Sequence, residues 1–125
     1  MTIEGEKFPR SARLTRKKDF TRIITKGSKI KGEHFDMYYR KGDTTLEIRL
    51  GLIVSKKVGI SVVRNKIKRR TREIFRKNRK YMIPGLDLVV RIKPSCVNIT
   101  FQRMEKLFLD SLKQSDLMNM AEMNS

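Results

Sequence analysis

The chain has 125 residues, which suits a single domain over residues 1–125, and its 30 Lys or Arg against 13 Asp or Glu give a net charge of +17. Such a charge predicts a polyanionic partner, and nucleic acid is favoured over an anionic membrane because no basic amphipathic helix with a broad apolar face is present. The single cysteine, Cys96, excludes an intramolecular disulfide, and the absence of a long apolar run or secretion signal predicts a cytoplasmic protein with no membrane partner.

The chain begins with a polar arm, followed by a short helix. Residues 1–13 show no hydrophobic period and are expected to be flexible. Residues 14–27, LTRKKDFTRIITKG, have apolar residues at helical spacing, namely Leu14, Phe20, Ile23 and Ile24. Thr15 is the predicted N-cap of this helix and Gly27 its predicted C-cap.

Two strands are predicted next. HFDMYYRK, residues 34–41, alternates so that Phe35 and Tyr39 face a core while Tyr38 lies on the opposite, more polar face. After a turn at 41–44, LEIRLGLIVSKK, residues 46–57, has the β-branched residues of a second strand. The two strands are predicted to pair as a hairpin. Tyr38 is the better candidate for stacking on an unpaired base, whereas the pattern does not decide whether Phe20 belongs to the core or to a binding surface.

A long basic helix is predicted over VVRNKIKRRTREIFRKNRK, residues 62–80, with Ser61 as its N-cap. On a helical wheel, one side carries Arg64, Asn65, Lys68, Arg69, Arg72, Arg76 and Arg79, and another carries Val63, Ile67, Thr71 and Ile74. An ordinary surface helix would mix acids among its bases, but Glu73 is the only acid here. The cationic side therefore predicts phosphate binding, which gives affinity and position rather than sequence choice. Lys56 and Lys57 extend it.

The last elements are a strand and a helix. Pro84-Gly85 ends the basic helix, LDLVVRIK at 86–93 reads as a third strand buried on both faces, and a helix follows from Phe101 to about Leu117. Asn98 or Thr100 is its predicted cap, and residues 118–125 are expected to fray. The order is α-β-β-α-β-α, in which strand two, the basic helix and strand three form a β-α-β unit. The fold class is a two-layer α/β (α+β) sandwich.

The block from residue 51 to residue 73 resembles the signature of the bacterial ribonuclease P protein subunit. The matching positions are Ser55, Lys56, Lys57, Gly59, Val62, Arg64, Asn65, Lys68, Arg69, Arg72 and Glu73. Leu14 with Asp19-Phe20 resembles the family's first helix, and 35–39 and 87–94 resemble its first and third strands. Two departures are Lys66, where the family often has Arg, and Ile60, where many members have Asn. Ile24 stands where an aromatic residue is common, which weakens expected stacking there.

The resemblance implies a left-handed β-α-β crossover and a partnership with a large catalytic RNA. With bound Mg²⁺, that RNA cuts precursor tRNA at the mature 5′ end, while the protein contributes no catalytic residue, no metal site and no cofactor of its own, and needs no obligate protein partner. The RNA-binding residues are predicted to be Lys56, Lys57, Arg64, Asn65, Lys66, Lys68, Arg69, Arg72 and Arg76. The cleft for the 5′ leader of the precursor is predicted to contain Phe20, Ile24, Tyr38 and Ile53.

Four other classes of protein are alternatives to this one. An unaided nuclease is disfavoured because the chain has one histidine, His34, and its acids are dispersed. A helix-turn-helix lacks the paired short helices before the basic helix, and an RNA-recognition-motif domain lacks its aromatic pattern. A ribosomal or structural RNA-binding protein has the same composition, and only the block at 51–73 argues against it.

Overall fold

Three helices and four strands follow one another in residues 12–42 and 46–119, which are the parts that a computed structural model of the chain describes. In chain order they are α1 (Lys17–Lys26), β1 (Ser28–Ile30), β2 (Phe35–Lys41), β3 (Arg49–Ile53), α2 (Ser61–Asn78), β4 (Leu86–Ile92) and α3 (Phe101–Gln114). Single 3₁₀ turns occupy Lys56–Val58, Arg79–Tyr81 and Pro94–Asn98. The predicted α/β class and the order of the main elements are confirmed.

The strands form one sheet in the order β1-β2-β4-β3. β3 and β4 are parallel with α2 between them, so the predicted β-α-β unit is confirmed, whereas β2 pairs with β4 and not with β3. The predicted hairpin is therefore wrong. Residues 86–90 of β4 are all buried, and a strand that is apolar on both faces is best placed in the middle of a covered sheet. β4 thus separates the two strands that precede it in sequence.

The two faces of the sheet bury different clusters. Phe35, Met37, Leu88 and Val90 point toward α2 and α3 and form the main core, as predicted for Phe35, and Tyr39 packs against the same core. On the other face, α1 covers a smaller cluster that contains Leu14, Ile23, Tyr38 and Val89. Tyr38 therefore lies on the face that the alternation predicted. This second cluster is smaller than the main core, and α1 leaves part of this face of the sheet uncovered. The candidate cleft described below lies on this face.

Helix termini follow the predictions in part. Thr100 caps α3, where its side chain accepts a hydrogen bond from Arg103 N, and Gly27 ends α1 by donating to Ile23 O. The other two caps are wrong. α1 begins after Arg16 rather than Thr15, and Ser61 is the first residue of α2, with Ile60 in the cap position. α3 ends at Gln114, and β1, three residues long, gave no alternation from which to predict it.

The described residues include parts of both end segments that were predicted to be flexible. Ala12 is fully buried and Arg13 forms a β-bridge with Leu50, while Met118 is buried and bridges Met82. These contacts place residues 12–13 and 118–119 against the fold, while the flexibility of the two segments stays a prediction. The rest of the two predicted segments, 1–11 and 120–125, lies outside the described residues. No helix among the described residues combines the length and the apolarity needed to cross a membrane.

A buried carboxylate at the start of β2 predicts acid-sensitive stability. Burial alone would raise the pKa of Asp36, but the hydrogen bond from Gly32 N at 3.0 Å and the Lys93 ammonium at 3.2 Å outweigh it, so that the pKa lies below the ordinary 3.8. A depressed pKa stabilises the fold while the group is ionised. This contribution is therefore present above the ordinary pKa and disappears as the pH falls through the folded value.

We expect Asp36→Asn to lower the melting temperature at pH 7 and to make little difference at a pH below the folded pKa of Asp36. Thermal unfolding of both proteins, followed by circular dichroism across pH 2–7, measures this difference in melting temperature at each pH. Equal destabilisation at both ends of that range would show that the Asp36 charge contributes no stability.

Candidate nucleic-acid interface

α2 carries the predicted division between a core stripe and a cationic side. Ile67, Thr71, Ile74 and Phe75 are buried against the sheet. Asn65, Lys66 and Arg69 are exposed, and Arg64, Lys68, Arg72 and Arg76 are half-buried. The apolar and β-branched residues repeat at three- and four-residue intervals, so packing on the sheet fixes the rotation of the helix and turns the cations outward.

Ion pairs distinguish two groups among these cations. Arg76 is held by the carboxylate of Glu73, with its Nε at 3.0 Å, and this pairing lowers the pKa of Glu73. Arg79 reaches across to Glu47 at 2.6 Å and to the carbonyl of Ile48 at 3.2 Å. Both arginines thus stabilise the fold, which makes Arg76 a weaker candidate for RNA contact than the sequence suggested.

Three other cations of this side have no such ion pair with the described residues. Lys68, Arg69 and Arg72 make no hydrogen bond or ion pair from their side chains to any residue within 12–42 or 46–119. Burial lowers the pKa of Arg72, and the positive charge of Arg13 lowers it further. Like charges held close together favour the binding of an anion, because an anion reduces their repulsion. Lys68, Arg69 and Arg72 are called the open cations below.

Arg64 is oriented by local contacts at the start of α2. Its Nε donates to the carbonyl of Gly59 at 3.1 Å, and a terminal nitrogen donates to Ser61 Oγ at 3.1 Å. Such bonds leave part of the guanidinium fork directed outward in a fixed position. Arg64 is therefore preorganised for a further acceptor.

Lys56 and Lys57 lie in a 3₁₀ turn rather than at a strand end, because β3 stops at Ile53. Both side chains are exposed. Gly59 follows with φ 157°, a conformation that other residues rarely adopt, and a Cβ there would lie 2.9 Å from a methyl of Val63. This glycine leads the chain straight from the turn into α2. The lysine pair and the helix therefore form one continuous basic surface.

All four predicted cleft residues meet in the cluster beneath α1. Phe20 and Ile24 from α1 and Ile53 from β3 are partly buried against Tyr38 on β2. Phe20 lies directly on the sheet because Gly51 leaves room for its ring. An apolar surface with exposed edges, next to cations, is the type of surface on which single-stranded nucleic acid stacks.

Tyr38 is less accessible than its position on the polar face suggested. Only 6% of the residue is exposed, and Lys29 Nζ lies 5.4 Å from the centre of its ring. Lys29 is also 3.9 Å from Asp36, whose carboxylate holds it beside the ring. The Tyr38 ring is therefore not an open stacking surface in this structure. Phe20, which the pattern left open, is the more exposed aromatic side chain.

Gly51 offers a way to displace Phe20 without changing it. A Cβ at residue 51 would lie 2.7 Å from Cε1 and Cζ of Phe20 and 3.1 Å from Cβ of Leu14. We expect Gly51→Ala to lower the free energy of unfolding by about 1–3 kcal/mol, as overpacking usually does. Urea unfolding measures the loss. Gly42→Ala is the control, since its nearest neighbour would lie at 3.4 Å, and a loss as large there would contradict the expectation.

A groove joins the open cations to the aromatic cleft. Its volume is about 180 Å³, and Lys68 and Arg72 line one side of it while Phe20 and Leu14 line the other. Arg13 also lines this groove, as well as a wider depression of about 600 Å³ that Arg16, Arg22 and Arg49 share. None of these arginines was among the predicted site residues. Arg13 fell within the predicted polar arm, residues 1–13. The bridge from Arg13 to Leu50 places it here.

Candidate ligands for metal ions are dispersed. Among the described residues, no three His, Cys, Asp or Glu side chains lie together as a possible metal-binding group. The histidine, His34, contacts Ser95 Oγ through its Nδ1 at 2.8 Å, directly before β2 begins. What the surface provides is positive charge and apolar contact.

Comparisons with known proteins agree on one family. The sequence model described as Ribonuclease P matches residues 8–116. The ribonuclease P protein component of Dictyoglomus turgidum is 37% identical over 105 residues, covering 82% of this chain and 87% of the relative. That of Thermotoga maritima is 34% identical over 113 residues, covering 87% of this chain and 96% of the relative.

Solved structures give the same result. The RNase P protein of Staphylococcus aureus superposes with a TM-score of 0.80 at 30% identity, covering 86% of this chain and 98% of that one. The RNase P protein of Thermotoga maritima gives a TM-score of 0.74 at 33% identity, covering 82% of this chain and 96% of that one. The likeness therefore extends over most of the chain, in sequence and in fold.

Proposed function

This chain belongs to the ribonuclease P protein family, and from that premise we propose how its surfaces take part in removing the 5′ leader from precursor tRNA. The cationic side of α2, with Lys56 and Lys57, binds the ribonuclease P RNA. The cleft of Phe20, Ile24, Tyr38 and Ile53 binds the leader. The observation that carries this division is the groove in which the open cations Lys68 and Arg72 face Phe20.

Each surface suits the nucleic acid assigned to it. An arginine fork can donate two parallel hydrogen bonds to one phosphate, and such contacts hold a folded RNA without reading its sequence. An unpaired leader exposes its bases, and an aromatic ring beside apolar side chains offers them a stacking surface that tolerates any sequence. Arg13, Lys68 and Arg72 then lie where the leader's phosphates pass between the two surfaces.

Catalysis is assigned to the RNA subunit, and Mg²⁺ is assigned to the same subunit. The groove between the two surfaces offers cations and apolar groups, which suit phosphates and bases. The protein's share is to hold the leader and to neutralise phosphate charge beside the cut. The complex would act in the bacterial cytoplasm, where precursor tRNA is made.

Binding to ribonuclease P RNA is expected to depend steeply on salt. Each phosphate that meets a lysine or arginine releases counterions, so the logarithm of the affinity falls linearly with the logarithm of the salt concentration. With several such contacts on α2, we expect a loss of at least a hundredfold between about 50 and 200 mM salt. Filter binding or fluorescence anisotropy over a salt series measures the slope, and a flat line would contradict phosphate binding.

Reconstitution tests the function itself. The protein is mixed with a bacterial ribonuclease P RNA and a 5′-labelled precursor tRNA at a Mg²⁺ concentration too low for the RNA to work well alone. The expected result is release of the leader at the mature 5′ end, faster than with RNA alone. No acceleration, with binding to the RNA intact, would favour a structural RNA-binding protein instead.

A further inference from the structure

We propose that a second groove, on the opposite flank of α2 from the leader cleft, binds an unpaired nucleotide of the ribonuclease P RNA. Its base would lie on an apolar floor and its phosphates on Lys66 and Arg70. The proposal rests on the function proposed above, since it names a contact of the same RNA partner. Of the lining residues, only Lys66 was among those that the family resemblance implied, and the proposal adds the apolar floor, Asn98, Thr100 and Arg70.

The groove lies between α2 and the segment that connects β4 to α3. Its volume is about 420 Å³, and its apolar lining comes from Val63 and Ile67 on α2 and from Val97 and Ile99 on the connecting segment. This size is within the usual range of small-molecule sites. Val62, which is 73% exposed, lies one turn before Lys66 and extends the apolar surface at the mouth.

The charge of this groove has one sign. Lys66 and Arg70 contribute two cations, and no acid is among its lining residues. Neither side chain makes an ion pair or hydrogen bond with the part of the chain that the structure describes. Arg70 lies near enough to the buried thiol of Cys96 for its charge to act on it, so it borders the connecting segment. Two uncompensated cations beside an apolar floor suit an anion with an apolar part.

The position on the helix separates this groove from the leader cleft. If Arg64 is placed at zero on a helical wheel, Lys68 and Arg72 fall at about 40° and 80°, whereas Lys66 and Arg70 fall at about 200° and 240°. The buried stripe of α2 lies between these two pairs on the sheet side. A leader that runs past Phe20 therefore has α2 between itself and this groove, so the occupant we assign is the RNA subunit.

The polar atoms at the rim suit the edge of a base. Asn98 and Thr100 line the groove and are exposed. Asn98 offers an amide with both donors and an acceptor, and the hydroxyl hydrogen of Thr100 remains available because its oxygen acts as the acceptor in the helix cap. Unpaired bases in RNA are bound in this way, with apolar contact to the ring and hydrogen bonds to its edge. A paired helix keeps its base faces stacked on one another, so it could not place a base on this floor.

A crosslinking experiment tests which molecule occupies the groove. Cys96 is fully buried and burial raises its pKa to about 11, so an added surface cysteine is labelled selectively. Asn98→Cys receives a photoreactive group, and Lys113→Cys, about 20 Å away along α3, is the control. In the holoenzyme with precursor tRNA, we expect the probe at residue 98 to crosslink to unpaired nucleotides of the RNA subunit and the control to give far less product.

Two variants measure the contribution of the groove to affinity. Arg70→Gln is expected to weaken binding to ribonuclease P RNA about tenfold and to reduce the salt slope by about one, and Asn98→Asp to weaken it by a similar factor. Lys113→Gln is the matched control, expected to change affinity less than twofold. Asn98 is exposed, so Asn98→Asp keeps the test valid if Arg70→Gln alters folding, which circular dichroism would detect.

The outcomes separate this proposal from the one on which it rests. If the unaltered protein fails to bind the RNA, the proposed function itself fails. If the unaltered protein binds the RNA and both variants bind it with the same affinity, only the proposal for the groove is overturned. Crosslinks from residue 98 to precursor tRNA, or to paired regions of the RNA, would also overturn the assignment to an unpaired nucleotide of the RNA subunit.

Discussion

Alanine at both Arg69 and Arg72 is expected to weaken binding to ribonuclease P RNA by roughly a hundredfold while leaving the fold at least as stable. A hydrogen bond to a charged group contributes about 1.5–3 kcal/mol, so two lost phosphate contacts give a factor of this size or larger. Neither arginine pairs with an acid among the described residues, so the substitutions leave no carboxylate without its partner. Removing Arg72 also removes its repulsion by Arg13.

The matched control removes the same charge elsewhere. Lys41 at the end of β2 and Lys113 at the end of α3 are both exposed, so their double alanine variant also lowers the net charge by two. Fluorescence anisotropy with labelled ribonuclease P RNA measures both variants at one salt concentration, and urea unfolding measures their stability. Equal losses of affinity would mean that total charge, rather than the cationic side of α2, decides binding.

The second large effect is expected at Phe20. Stacking on an aromatic ring contributes about 1–3 kcal/mol per base, so Phe20→Leu should weaken binding of precursor tRNA to the holoenzyme by roughly five- to a hundredfold. Leucine keeps an apolar side chain against Gly51 and removes the ring. Mature tRNA, which lacks the leader, should bind as before. Ile24→Leu on the same helix is the control, since it changes the shape of the cleft without removing an aromatic ring.

Loss of affinity for precursor and mature tRNA alike would remove Phe20 from leader binding. The same assay on Tyr38→Phe reports on the second aromatic residue. Because Tyr38 is 6% exposed and lies beneath Lys29, we expect the loss of its hydroxyl to have a smaller effect than Phe20→Leu.

The local elements were predictable where a strong period coincided with burial. α2 repeats its buried residues at helical spacing over 18 residues, and β4 is apolar throughout its centre, so both were found close to their true bounds. The signature at 51–73 then indicated the family, which the comparisons confirm. Short elements without a period, such as β1, gave no comparable pattern.

Long-range pairing could not be predicted in the same way. The choice of β4 as the partner of β2 depends on which strand best fills the middle of a sheet, and adjacent strands in sequence suggested a hairpin instead. The ion pair between Arg79 and Glu47 joins residues 32 positions apart, so no local pattern showed that Arg79 is structural. The position of Lys29 over the Tyr38 ring follows from the pairing of β1 with β2, which no local pattern showed.

The most direct measurement is the ratio of precursor to mature tRNA affinity in holoenzymes assembled at saturating protein, compared between the Phe20→Leu and Arg69→Ala variants. If the cleft holds the leader and the outer face of α2 holds the RNA subunit, Phe20→Leu reduces this ratio toward one. Arg69→Ala leaves the ratio unchanged and raises only the protein concentration needed for assembly. A ratio that falls with Arg69→Ala and is unaffected by Phe20→Leu would contradict this division between the two surfaces.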